Sequence, residues 1–272
     1  MMTRDTSARA YAAYETIKKR IIESGFLPGS KLSEERLAGE LGLGRSPIRS
    51  AFARLNSEGW IDISPQSGSY VRALGEREIA EIFELRLVLE SHVTDLAARR
   101  ITDEQLRKLQ LALKRTKVVA AAGADKAAFD EIDAVDSMVH LTIYEAAGNA
   151  LISRILLNLW EKAQWLKKLV SPSTPARMKS WIAELEGIVE ALALHDPRLA
   201  VQRVCDHVQH GEQSHQDSKA QGSRAAATPA RAATSSNAPA KRRPAAKPAQ
   251  RTRSKADARA RTARGQRASS SR

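Results

Sequence analysis

Residues 216–272 contain no Val, Ile, Leu, Met, Phe, Trp, Tyr or Cys. Burial of apolar surface offsets the conformational entropy lost on folding, and a segment of Ala, Ser, Pro, Gly, Lys and Arg cannot supply it. The sequence therefore predicts a disordered basic C-terminal tail over 216–272 and confines any core to residues 1–215. The same division sorts the charge. The tail holds fifteen Lys and Arg against two Asp, a net +13, which equals the whole-chain balance of 44 basic against 31 acidic residues. Residues 1–215 thus carry 29 of each sign and are formally neutral. The high pI belongs to the tail and says nothing about nucleic-acid binding by the folded part. A cationic tail neutralises phosphates without reading sequence, and without aromatics it cannot stack on bases. Its expected role is auxiliary DNA binding, the alternative being a solubilising segment with no partner.

Within the first 215 residues the stretch Leu32–Val71 is the most informative. Ser33 is a suitable N-cap, Glu34 and Glu35 suit the positive end of a helix dipole, and Gly42 is a suitable stop after Leu41. After a glycine-containing turn, Ser46 and Pro47 have the form of an N-cap and first helical position. Ile48, Ala51, Phe52 and Leu55 then make one apolar stripe, leaving Ser46, Arg49, Ser50 and Ala53 on the opposite face. A small, hydroxylated and basic helix face can enter the major groove, where Arg pairs with guanine edges or phosphates. Ile61–Ile63 and Ser69–Arg72 follow as two short strands joined by Ser64-Pro65-Gln66-Ser67-Gly68, a hairpin behind the helix. Residues 1–7 are expected to be disordered. Tyr14, Ile17 and Ile21 form the stripe of a preceding helix ending near Gly25, which makes a three-helix winged domain over 8–74.

From Arg77 to His215 the pattern is helical throughout. Helices are predicted over 78–100, from a Thr102–Gln105 capping box to Gly123, from about Asp125 to Ala147, on to Val170, from about Thr174 to Leu194, and after Asp196-Pro197. An all-helical bundle over 77–215 follows. The only cysteine is Cys205, which excludes an internal disulfide framework. Residues 1–10 are too polar for a secretory signal, and no run approaches the roughly 18 apolar residues of a membrane span. A cytoplasmic, nucleoid-associated protein is expected.

Polar residues interrupt two of the apolar stripes. Arg86 and Glu90 fall among Ile79, Ile82, Phe83, Val93 and Ala97. They can pair with each other across one helical turn, or Arg86 can receive the carboxylate of a small ligand. Asp136 and His140 fall among Phe129, Ile132, Val139, Ile143 and Ala147, four residues apart, so that both can converge on one point as metal ligands must. His207 in the last helix is a third candidate. A satisfied core hydrogen bond is the alternative reading of this pair. Trp160 and Trp165 are expected as core or dimer contacts, and His210 and His215 as solvated.

Two resemblances organise these features. Leu27-Pro28-Gly29-Ser30-Lys31-Leu32, Leu37-Ala38, Gly44-Arg45-Ser46-Pro47-Ile48-Arg49, Leu55, Glu58-Gly59-Trp60 and Gly68-Ser69-Tyr70-Val71 resemble the DNA-binding domain of GntR-family bacterial transcription regulators. That likeness implies that Arg45 and Arg49 contact bases or phosphates, with Ser46 on the same face, and that Gly68 lets the wing tip approach the minor groove. Gly44 stands where the family usually has Ser, Ser50 where it has Glu, and Glu35 where some members carry a DNA-contacting Arg, for which Arg36 could substitute. Glu84-Leu85-Arg86 with Leu89-Glu90, Asp136 through His140 to Gly148-Asn149, and Ala191-Leu192 with Asp196-Pro197, Ala200 and His207 resemble the FCD effector domain of the FadR-type subgroup. There, an Asp and three His commonly hold a divalent metal, zinc or nickel, at the floor of a pocket for organic acids. Asp136, His140 and His207 match three positions, but the fourth is Leu185. His195 is displaced by ten residues and is expected to point elsewhere. Either a three-ligand site completed by water or a ligand carboxylate, or a metal-free pocket, fits this set.

The expectation is a mainly α, homodimeric, ligand-responsive transcription regulator. Its operator affinity would be set by a small organic acid held by Arg86, Asp136, His140 and His207. An architectural DNA-binding protein dominated by the tail is the alternative. Metal-dependent hydrolysis is the enzymatic one, and the chain offers it no clear general base or oxyanion donor.

Overall fold

The computed structural model describes residues 2–123, 125–169 and 174–227. Disorder and auxiliary DNA binding were expected of a tail most of which, residues 228–272, lies outside that range. Among the described residues, no helix is long and apolar enough to cross a membrane.

The N-terminal part is built from helices α1 (Met2–Ile22), α2 (Glu34–Leu41) and α3 (Arg45–Ser57) and strands β1 (Lys31–Leu32), β2 (Ile61–Ser64) and β3 (Gly68–Val71). The strands form one antiparallel sheet in the order β1-β3-β2, with Ile61 opposite Val71, Ser64 opposite Gly68, and Leu32 opposite Ser69. Ser33 caps α2 by accepting from the Arg36 N–H at 3.2 Å. Gly42 closes α2 in the left-handed conformation, φ 63°, and donates back to Ala38 and Gly39. Tyr14, Ile17, Ile21, Ile48, Phe52, Leu55, Trp60, Ile61 and Val71 are buried together as the core of this part.

Four expectations are corrected here. Residues 2–7 are the first turns of α1 rather than disordered. Helix α3 starts two residues early: Gly44 is its N-cap and makes no side-chain cap bond, while Ser46 lies inside the first turn. The sheet has a third strand, β1, whose two residues are too few to leave an alternating pattern. The last helix continues past His215 to Ala227. Ala, Gln, Lys and Arg are good helix formers, and propagating a helix from a docked segment is much easier than nucleating one, so an apolar-free sequence is carried on. Lys219 on this extension pairs with Glu76 at 2.6 Å.

The remaining helices are α4 (Glu76–Arg100), α5 (Asp103–Ala122), α6 (Lys126–Ala147), α7 (Ala150–Leu169), α8 (Pro175–Ala193) and α9 (Pro197–Ala227). Their boundaries have local causes. Thr102 and Gln105 form the reciprocal capping box of α5, Asp125 caps α6 and Gly148 ends it at φ 66°, and Thr174 with Pro175 opens α8. The bundle core includes Val93, Leu109, Ile132, Val139, Ile143, Leu185, Ile188 and Leu192. Trp165 of α7 leaves that core and is buried in the N-terminal one, beside Trp60.

A buried polar cavity and a DNA-facing helix

Helices α4, α6, α7, α8 and α9 line a partly open cavity of about 100 Å³, room for a small organic ion or a handful of water molecules. Arg86, Asp136, His140 and His207, the four residues singled out from sequence, all line it. Asp136 is its polar centre. Its Oδ1 accepts from Trp181 Nε1 at 3.1 Å and pairs with His207 Nε2 at 3.0 Å, while Oδ2 accepts from Gln164 Nε2 at 3.2 Å and Lys167 Nζ at 3.3 Å. Burial opposes its ionisation, yet Lys167 and the two imidazoles prevail and hold the carboxyl well below the usual carboxylate range.

Each histidine is held from behind by a second carboxylate. His207 Nδ1 lies 2.9 Å from Glu184 Oε2, and His140 Nδ1 lies 2.9 Å from Glu90 Oε2, close enough to pair charges though not aligned for a linear hydrogen bond. Glu90 also accepts from Arg86 Nε at 2.8 Å. Both alternatives for Arg86 therefore meet at one place, since it pairs with Glu90 and also faces the cavity. Burial alone would raise the Glu90 carboxyl, but Arg86 and His140 bring it down to about 2. Burial would depress His207, but Asp136 and Glu184 lift it to about 9.

These donors fit a divalent cation. Asp136, His140 and His207 offer one ligand atom each, all within 4.8 Å of one another. Carboxylates on the far nitrogens orient the rings as metal-bound imidazoles require. Leu185 is fully buried among apolar neighbours and supplies no donor, so a fourth position is left to water or a ligand.

Gln164, Lys167, Trp181 and Glu184 were not anticipated. Gln164 and Lys167 sit three residues apart, a spacing that puts them on one face, but nothing in the sequence says that this face meets α6. Glu184 reaches His207 only because α8 docks on α9. His195 turns away, its Nδ1 within 2.8 Å of the Ala98 carbonyl. His215, expected in solvent, is half-buried at the cavity edge, and His210 is exposed with Nδ1 3.1 Å from Glu184 Oε1. Trp160 also lines the cavity.

The second candidate surface is α3. Ile48, Ala51, Phe52 and Leu55 face the core while Ser46, Arg49, Ser50 and Ala53 are exposed. The three arginines expected on this side are each paired with a glutamate of α2: Arg45 with Glu35 at 2.8 Å, Arg49 with Glu34 at 2.9 Å and Arg36 with Glu40 at 2.7 Å. At the wing, Gly68 has φ 111°, and a Cβ there would lie 3.0 Å from Lys31 Cε.

A winged helix-turn-helix joined to a helical bundle with a buried polar cavity is the architecture of a DNA-binding regulator with a ligand-sensing domain. Residues 9–71 match the gntR family of bacterial regulatory proteins, and residues 81–210 match the FCD domain. The chain belongs to the GntR family, is a transcription regulator rather than an enzyme, and carries an FCD domain. It is 32% identical over 175 residues to the gluconate operon transcriptional repressor of Bacillus licheniformis, covering 64% of this chain and 68% of that protein. It is 25% identical over 181 residues to the regulator McbR of Escherichia coli, covering 66% and 80% respectively. Among solved structures, McbR superposes with a TM-score of 0.67 at 21% identity, covering 77% of this chain and 97% of that one. A GntR regulator of Rhodococcus sp. RHA1 gives 0.62 at 19%, covering 77% and 98%.

Proposed function

We propose that this regulator binds operator DNA as a homodimer and that a small carboxylic acid, held in the bundle cavity with the help of one divalent metal, zinc or nickel, sets its operator affinity. The observation that carries the effector reading is the buried Arg86. Glu90 takes its Nε, which leaves the Nη end of a cavity-lining guanidinium for a ligand carboxylate. When bound at Asp136, His140 and His207, the metal supplies a second positive centre for the acid. Arg86 orients the carboxylate, Glu90 and Glu184 orient the imidazoles, and the aromatic walls of Phe83 and Trp181 exclude water. The relative from Bacillus licheniformis is named for gluconate, a carboxylate of this kind.

For DNA, Arg45, Ser46 and Arg49 on α3, Arg36 on α2 and Gly68 at the wing are the proposed contacts, each protomer reading one half-site. Exposed Leu85 and Val88 on α4 offer apolar surface for pairing of two bundles. Occupancy of the cavity would bias the bundle between two arrangements and so change the spacing of the two wings.

A thermal-shift screen of carboxylic acids, run with and without chelator on the full chain, tests the effector reading. Free ligand at about a hundred times its Kd stabilises a protein by about 2.7 kcal/mol. At least one acid should raise the melting temperature, less so after chelation and less still in Arg86→Gln. Absence of any stabilising acid overturns the effector, and absence of metal by elemental analysis of the folded protein overturns the metal.

A further inference from the structure

The pairing of DNA-facing arginines with glutamates of α2 has no ready explanation in stability. Exposed ion pairs contribute about 0–1 kcal/mol and are screened by salt. Their geometry is more telling. Glu34 holds Arg49 by Nε, which leaves its two Nη groups as an open fork. Glu40 holds Arg36 by Nε in the same way and also accepts from Arg20 at 2.6 Å. Glu35 instead takes Nη2 of Arg45 and so occupies part of the fork. Side-chain exposure separates them further: Glu34 is 34% exposed and Glu35 81%, so Glu34 is the firmer anchor.

An Nη fork fixed in orientation is what bidentate contact with guanine O6 and N7 requires, and a side chain already ordered loses less freedom on making it. The charge balance points the same way. Glu34, Glu35 and Glu40 offset Arg49, Arg45 and Arg36 locally, so these arginines gain less from phosphates in general and depend more on contacts that a particular base sequence supplies.

Resting on the DNA-reading role given above, we propose that Glu34 is a positioning residue for sequence discrimination, holding the Arg49 guanidinium by Nε and aiming its free Nη edge at a base. Glu34 itself need not touch DNA. Its carboxylate also offsets the positive charge of Arg49, so that this face adds little to the binding of random sequences.

The test uses the full chain and two duplexes: one enriched by the wild-type protein from a randomised library, and a scrambled duplex of the same composition. Binding to each is measured over a salt series for wild type, Glu34→Gln, Glu34→Ala and Arg49→Ala. Loss of a well-oriented base contact lowers discrimination about tenfold or more. Glu34→Ala should therefore lower the ratio of selected to scrambled affinity by about tenfold. Glu34→Gln, which keeps an acceptor for Arg49 Nε, should restore most of that ratio while binding both duplexes more tightly. Adding Glu34→Ala to Arg49→Ala should lower the ratio no further. A purely electrostatic role predicts that Gln and Ala tighten both duplexes equally at an unchanged ratio, and that result overturns the proposal. Additive effects of Glu34→Ala and Arg49→Ala on the ratio also overturn it. If the wild-type chain enriches no sequence, the DNA-reading role itself fails and the positioning role with it.

Discussion

Trp60 and Trp165 lie with ring centroids 5.9 Å apart and planes at 53°, joining the segment just past helix α3 to helix α7 of the bundle. Both are fully buried, and Trp165 shares α7 with Gln164 and Lys167, which reach Asp136 in the cavity. Lys18 of α1 reinforces the contact by pairing with Glu161 of α7 at 2.9 Å. One helix thus carries polar contacts to the cavity and an aromatic anchor in the DNA-reading core. Trp165→Ala should cost about 3–5 kcal/mol in chemical denaturation, as large-to-small core changes do, and Trp165→Phe much less. The Phe variant should still be stabilised by whichever acid the screen identifies, but that acid should change its DNA affinity less than in wild type. Unaltered coupling in Trp165→Phe and in Trp60→Phe would remove this contact from the signalling route.

Asp136 is the group on which the cavity depends most. It accepts from Trp181, Gln164 and Lys167 and pairs with His207, so neutralising it leaves the Lys167 ammonium to Asp133 and the His207 imidazole to Glu184. A hydrogen bond to a charged group contributes about 1.5–3 kcal/mol. For a domain of 150–250 residues each kcal/mol moves the melting point by about 2–4 °C. Asp136→Asn should therefore melt roughly 5 °C below wild type, by calorimetry, and should retain no stoichiometric metal by elemental analysis. A variant that melts with wild type would show that solvent, not Asp136, satisfies these donors.

Helix existence and type were legible because the apolar residues repeat at helical spacing and some ends carry recognisable caps: Ser33 and Thr102 accept the backbone bonds expected of them, and Asp125 and Thr174, expected only as approximate helix starts, are caps as well. The candidate ligands were legible for a different reason. Arg86, Glu90, Asp136 and His140 are charged or polar residues on otherwise apolar stripes, and such positions need partners. The partners contributed by other helices were not legible. Trp181 looks like core and Glu184 like surface, and only the packing of α8 on α6 and α9 brings both to the site. The extension of α9 was missed because absence of apolar residues forbids a core but does not forbid a helix already nucleated.

The two carboxylates on His207 make the metal-free protein sensitive to alkaline pH. Burial would lower this imidazole, but Asp136 and Glu184 raise it from 6.5 to about 9 in the folded state. A raised folded pKa contributes stability that is fully present below the unfolded value and is lost as pH climbs through the folded one. The contribution therefore declines between pH 6.5 and about 9, by about 3 kcal/mol at most. Denaturation midpoints of chelator-treated protein should fall across that window, and those of His207→Gln should stay flatter. Metal uptake must expel the same proton, so metal affinity should rise over the same window. A midpoint independent of pH from 6.5 to 9 in wild type would mean that His207 is neutral when buried.

Gly68 separates a structural demand from a DNA contact at one position. Its φ of 111° lies where L side chains are strained, and a Cβ would meet Lys31 Cε at 3.0 Å. The Lys31 contact is with the flexible part of a side chain and can yield, whereas the backbone conformation cannot, because Gly68 pairs with Ser64 at the closing end of the hairpin. Such backbone strain costs about 1–3 kcal/mol. Gly68→Ala should lose stability of that order, and adding Lys31→Ala should restore only a minor part. If the wing tip also approaches the minor groove, Gly68→Ala should weaken binding to the selected duplex beyond what its lowered stability explains, measured at a temperature where both proteins are fully folded. Equal DNA affinity of wild type and Gly68→Ala under those conditions would assign this glycine to the turn alone.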